Sequence, residues 1–139
     1  MEKKLHHPKA WPAAVKCSII FLVSGWLCHY VFYFTHFAGE MPQRINVLQL
    51  GVGIGICYFV ATLKRWARMM CLFFNLAIIG MYALYGLAFF QSTKYYPMML
   101  AALTAVLFLI STYFLLKRET ARFYAAADPE VGRQESPDN

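Results

Sequence analysis

Four stretches of the chain carry no Asp, Glu, Lys or Arg: Cys17 to Gly39, Ile45 to Leu63, Met69 to Thr93 and Tyr95 to Leu116. A helix of about 20 mainly apolar residues, rising 1.5 Å per residue, crosses the roughly 30 Å hydrocarbon core of a bilayer. Each stretch is that long. The uncharged runs predict membrane spans at about 14–37, 45–63, 68–91 and 96–117. Short connections between them make neighbouring spans antiparallel. The expected fold class is therefore all-α, an integral membrane up-down four-helix bundle in a single membrane domain. From about residue 127 onward Pro, Gly, Ser and charge replace apolar residues, which predicts a disordered tail.

Composition narrows the function classes. Only 14% of residues are charged and 60% are hydrophobic, against about 25% charged in soluble domains. With most of the chain used by spans, a separate soluble enzyme domain has no room. The net charge of +6 raises the question of a nucleic-acid surface, and the placement of the cations answers it. Lys3, Lys4, Lys9 and Lys16 precede span one, Lys64, Arg65 and Arg68 separate spans two and three, and Lys117, Arg118, Arg122 and Arg133 follow span four. Of the 13 Lys and Arg, only Arg44 and Lys94 lie in the other two loops. This positive-inside asymmetry predicts cytoplasmic termini, with the basic excess facing anionic lipid headgroups and no nucleic-acid partner.

Local features fit that layout. Trp11 suits the headgroup layer and Pro12 a first helical turn. Lys16 reaches back to the interface along its stem. His36-Phe37-Ala38-Gly39-Glu40-Met41-Pro42-Gln43-Arg44 forms an external turn in which Glu40 and Arg44 can pair, and such an exposed pair contributes little. Tyr95 and Tyr96 read as an external aromatic belt. The residues after Leu116, from Lys117 to Tyr124, are expected to continue as helix along the membrane surface. Lys3 and Lys4 before an apolar run raise the question of a cleaved leader. The run exceeds the usual 7 to 15 residues, and a cut after Ala38 would place His36 at the −3 position, so span one is expected to stay attached.

Helix packing is expected at Gly51 and Gly55 in span two and at Ala101 and Ala105 in span four, two small-x-x-x-small pairs that permit close approach within the chain or between copies. The cysteines, Cys17, Cys28, Cys57 and Cys71, lie within spans or at their cytoplasmic ends. With no C-x-x-C among them, they read as packing residues.

No Asp, Glu, Lys or Arg lies deep in a span, and such groups mark proton relays and ion pathways. Small multidrug-resistance exporters depend on a membrane-embedded glutamate in their first span, and this chain has none there. The remaining polar candidate is His29. Gly25, Trp26, His29, Tyr33, His36 and Glu40 fall on one stripe of helix one. Counted from the cytoplasmic ends, His29 lies about 18 Å up, Gln49 about 21 Å, Tyr82 about 20 Å and Thr104 about 18 Å. Each span thus places one hydrogen-bonding side chain at one level. These four are either an internal polar layer that fixes helix register or the lining of a ligand site, with Gln49 and Tyr82 donating to a carbonyl, or a protonation switch.

Other chemistry finds no constellation. His29 and His36 are about 10 Å apart along one helix, too far to clamp one haem iron, and no other span contains a histidine, so a bis-His haem within the chain is not expected and no cofactor is assigned; His-Met ligation or a ligand from a partner subunit is the alternative. His6 and His7 read as a solvated pair and no metal site is expected. There is no H-E-x-x-H, G-x-S-x-G, phosphate loop or carboxylate pair, and Gly51, Gly53 and Gly55 alternate inside an apolar span, unlike a dinucleotide-binding turn.

Two segments, Leu63-Lys64-Arg65-Trp66-Ala67-Arg68 and Tyr113-Phe114-Leu115-Leu116-Lys117-Arg118-Glu119-Thr120-Ala121-Arg122-Phe123, resemble elements of small uncharacterised four-span proteins of the bacterial inner membrane. The resemblance implies that location, covers about a fifth of the chain, and carries no site residue or activity with it. The leading expectation is a non-enzymatic multi-pass inner-membrane protein, a self-associating bundle or a small subunit of a membrane complex. The alternative is a transporter or binding protein for an uncharged or quinone-like small molecule, acting through the layer around His29.

Overall fold

The computed structural model describes residues 11–37, 39–40 and 42–127, and the regular elements among them are five helices. They are α1 (Ala13–His36), α2 (Gln43–Ala61), α3 (Arg65–Gln91), α4 (Tyr95–Leu116) and α5 (Arg118–Ala127). The first four are each long and apolar enough to cross a membrane. The shortest, α2, has 19 residues and measures about 28 Å, close to the thickness of a hydrocarbon core. His6, His7, the first three lysines, Arg133 and the expected tail beyond Ala127 lie outside the described residues.

Prolines and left-handed residues set the helix ends. Pro12 and Pro42 occupy the N-cap positions of α1 and α2, and Pro97 lies in the first turn of α4. The amide hydrogen that proline lacks would have no intrahelical acceptor there. Leu63 and Thr93 stop α2 and α3 with φ of 60° and 54°. After α3, the Lys94 amide donates to the Phe89 carbonyl and the Thr93 amide to the Phe90 carbonyl. This is a Schellman closure with threonine where glycine is usual. A left-handed conformation costs a side-chain-bearing residue about 1–2 kcal/mol. For Leu63, burial of the side chain offsets that cost.

The core is organised around α4. Its buried residues Ala101, Thr104, Phe108, Ser111 and Leu115 recur every three or four positions and form one stripe. Small residues let α1 and α3 come close to it. A Cβ added at Gly25 would lie 3.3 Å from the Phe108 ring, and Ser111 donates to the Ser18 carbonyl across 3.0 Å. From α3, the Asn75 amide donates to Thr112 Oγ1 at 3.1 Å. The second helix is different: only Gly53 and Val60 of α2 are buried, and long aromatic side chains bridge the gap to α1.

One end of the molecule is tied by backbone acceptors. Arg68 donates to the Leu115 carbonyl at 3.3 Å, and Tyr124 of α5 donates to the Val60 carbonyl at 2.8 Å. With the Ser111–Ser18 bond, these contacts gather the start of α1, the end of α2, the start of α3 and the end of α4. Lys16, Lys64, Arg65, Arg68 and Lys117 therefore share one end of the molecule. The short α5 does more than lie along a surface, because Thr120 and Tyr124 on its inner face are fully buried.

Candidate functional site

The polar stripe of α1 turns inward. Gly25, Trp26, His29 and Tyr33 are buried, His36 is half-buried and Glu40 is exposed. His29 reaches two other spans. Its Nδ1 lies 2.9 Å from Tyr82 Oη on α3, and its Nε2 lies 3.4 Å from Gln49 Oε1 on α2. An amide oxygen only accepts, so in this arrangement Nε2 carries the proton and donates to Gln49, while Nδ1 accepts from the Tyr82 hydroxyl. The first contact has ordinary hydrogen-bond length. The second exceeds the usual 2.7–3.2 Å and is the weaker of the two.

Aromatic rings hold the imidazole from its other sides. Trp26 meets it edge-on, with centroids 5.2 Å apart, and Tyr33 stacks on it at 6.2 Å. These rings also tether α2. Tyr33 donates to Asn46 Oδ1 at 2.7 Å, and Tyr30 donates to the Leu50 carbonyl at 3.0 Å. The approach of Tyr30 and Trp26 depends on Gly53, where a Cβ would run into the Tyr30 hydroxyl and the Trp26 indole.

Because α2 is held at arm's length, an open cleft of about 170 Å³ remains among α1, α2 and α3. His29, Gln49, Tyr33 and Tyr82 supply its polar lining, and Phe37, Ile45 and Met81 belong to its apolar lining. Among the described residues, no charged side chain lines it. The Gln49 amide nitrogen has no hydrogen-bond partner among the described residues. The cleft can thus hold an uncharged group by hydrogen bonds.

The fourth member of the expected layer stays apart. Thr104 is fully buried, but its hydroxyl donates to the Leu100 carbonyl of its own helix at 2.8 Å. A threonine within a helix can satisfy itself against the carbonyl four residues back, so equal depth does not bring it to the other three.

Of the two uses expected of Gly51 and Gly55, close approach within the chain is not made among the described residues. A Cβ at Gly51 or Gly55 would meet nothing within 4 Å, so the close approach of α2 runs through Gly53, on another side of the helix. Gly51 and Gly55 instead border a second cleft of about 270 Å³ between α2 and α3, walled by Phe59, Trp66, Met70 and Phe74. In α4, Ala101 is fully buried and Ala105 packs half-buried against the core.

Asn75 of α3 is a polar residue outside the expected layer. It is fully buried, donates to Thr112, and accepts from the Cys71 thiol at 3.7 Å. Its signal was present in the sequence, since an amide deep in an apolar span needs a partner. Among the described residues, no three His, Cys, Asp or Glu side chains gather to hold a metal ion. In comparisons with known proteins, no family model, curated protein or solved structure matches the chain.

Proposed function

We propose that this is a non-enzymatic multi-pass protein of the bacterial inner membrane, an up-down bundle with both termini cytoplasmic, that binds a small uncharged molecule in the His29 cleft. One observation carries the ligand reading. His29, Gln49 and Tyr82 come from three different spans and meet on a cleft that has room for a guest and no charge among the described residues of its lining. A purely structural polar layer needs the hydrogen bonds but not the space. The orientation is supported by the shared end that carries Lys16, Lys64, Arg65, Arg68 and Lys117, which the positive-inside rule places in the cytoplasm.

A second reading, association with another copy or a partner subunit, is favoured by the open ground over Gly51 and Gly55. Native size in mild detergent distinguishes it. A monomer that copurifies with no other protein would remove that reading.

The ligand reading is tested by thermal unfolding of the purified protein with a panel of uncharged ring compounds. A ligand at 100 times its Kd stabilises the folded form by about 2.7 kcal/mol. The wild type is expected to show this shift with at least one compound. His29→Leu should keep its helical circular dichroism and lose the shift. Equal stabilisation of His29→Leu, or none of the wild type by any compound, would refute the proposal.

A further inference from the structure

The hydrogen-bond chain from Gln49 through His29 to Tyr82 has two neutral settings. In the first, with the Gln49 oxygen turned toward the ring, Nε2 of His29 donates to Gln49 Oε1 and Tyr82 donates to Nδ1. That leaves the Gln49 –NH₂ as a free donor and the Tyr82 oxygen with a free lone pair. Moving the imidazole proton to Nδ1 and turning the Gln49 amide over gives the second setting. His29 then donates to Tyr82, and Gln49 donates to Nε2. The Tyr82 O–H is now free to donate outward, and the Gln49 oxygen is free to accept. No net charge enters the membrane in this change, because neutral histidine exists as either tautomer.

We infer that the His29 cleft binds the head ring of a lipid-soluble quinone and of its quinol, with the tautomer of His29 matching the oxidation state of the guest. The inference rests on the ligand-binding reading above. Three features select this class. The described lining of the cleft carries no charge, which favours an uncharged guest. At about 170 Å³ it falls below the roughly 300–1,000 Å³ of sites that enclose drug-sized ligands, so it admits one ring and leaves a tail outside in the lipid. Phe32, Tyr33 and Tyr85 around it present faces and edges suited to a flat ring.

Depth decides which polar group reads the ring. Tyr82 is 1% exposed and lies at the floor, whereas Gln49 is only half-buried. A ring oxygen that reaches the floor therefore meets Tyr82. A quinol hydroxyl donates to the Tyr82 oxygen in the first setting, and a quinone carbonyl accepts from the Tyr82 hydroxyl in the second. Binding alone is proposed here, with no electron transfer between protein and guest.

The test uses the full chain in lipid nanodiscs with ¹⁵N-labelled histidine. The probes are decylubiquinone, decylubiquinol, and decylbenzene as a tailed ring without oxygens. The His29 resonances are assigned by their loss in His29→Leu. Quinone and quinol are expected to bind within about threefold of each other. Decylbenzene should bind at least about tenfold more weakly, the equivalent of one lost hydrogen bond. The spectrum should report Nε2–H in the free and quinol-bound protein and Nδ1–H with quinone bound. Tyr82→Phe, which keeps the ring and removes the hydroxyl, should weaken both probes and abolish the tautomer change.

Binding of both probes with His29 fixed in one tautomer overturns the switching inference and leaves the ligand reading intact. If neither probe binds while another uncharged ring compound still stabilises the wild type, the quinone class is wrong. If no compound binds at all, both readings fail.

Discussion

The attachment of α2 rests on the absence of one methyl group. In Gly53→Ala the new Cβ would collide with the Tyr30 hydroxyl and with the Trp26 indole. Tyr30 is partly exposed and can swing aside. Trp26 cannot, because its ring is wedged between His29 at 5.2 Å and Phe108 at 5.8 Å. Relief has to come from α2 moving outward. Overpacking of this kind costs about 1–3 kcal/mol. The movement also stretches the Tyr30–Leu50 and Tyr33–Asn46 bonds, each worth about 0.6 kcal/mol on average within a membrane protein. Alanine returns at most about 1 kcal/mol of helix propensity over glycine. The net expectation is a loss of about 1–3 kcal/mol. Gly51→Ala and Gly55→Ala meet open space and should be neutral or stabilising by up to about 1 kcal/mol. Unfolding in mixed micelles with increasing sodium dodecyl sulfate, followed by circular dichroism, measures all three. A Gly53→Ala midpoint equal to that of Gly51→Ala would refute the packing argument.

Two further outcomes follow from the end of the molecule that carries α5. Tyr124 is fully buried and donates to the Val60 carbonyl, so Tyr124→Phe should cost about 1 kcal/mol and speed amide exchange in α5. Burial is the main cause that pushes the Tyr124 phenol above its ordinary value, with Arg68 acting weakly the other way. Its stabilisation is therefore complete below the unfolded value near pH 10 and is lost as pH rises through the higher folded value. Melting curves from pH 8 to 11 should show an alkaline loss of stability in wild type that is smaller in Tyr124→Phe. For topology, in a variant with its four native cysteines replaced by serine, Ser92→Cys should react with an impermeant maleimide on intact cells and Arg65→Cys only after permeabilisation. The reverse pattern would invert the proposed orientation.

What was legible in the sequence follows from what a helix fixes on its own. Uncharged length and proline placement depend on residues near in sequence, and they located the four long helices, with α1 at Ala13–His36 and α4 at Tyr95–Leu116. Depth is equally local, since each residue adds 1.5 Å. This is why the sequence sets His29, Gln49 and Tyr82 at one level, and the structure joins them by hydrogen bonds.

Azimuth is a property of packing, and here the sequence reading ran out. Thr104 has the right depth but turns its hydroxyl to its own helix. The Gly51 and Gly55 spacing matches a packing motif, yet the neighbour of α2 presents Trp26 and Tyr30 to Gly53. Asn75 carries no charge, yet an unpaired amide in hydrocarbon is costly, so its place within a span already calls for a partner. The Tyr124–Val60 bond joins residues far apart in sequence, and no local pattern announces such a contact.

The central claim, that a guest occupies the space around His29, is tested most directly by photolabelling in native membranes. An azido-substituted quinone with a decyl tail would be activated by light, and the labelled peptides mapped by mass spectrometry. The account predicts adducts on Ile45, Met81 and Tyr85, around the cleft, suppressed by excess decylubiquinone and absent from His29→Leu. Adducts confined to lipid-facing residues such as Leu76 and Leu84, with no competition and no dependence on His29, would contradict it.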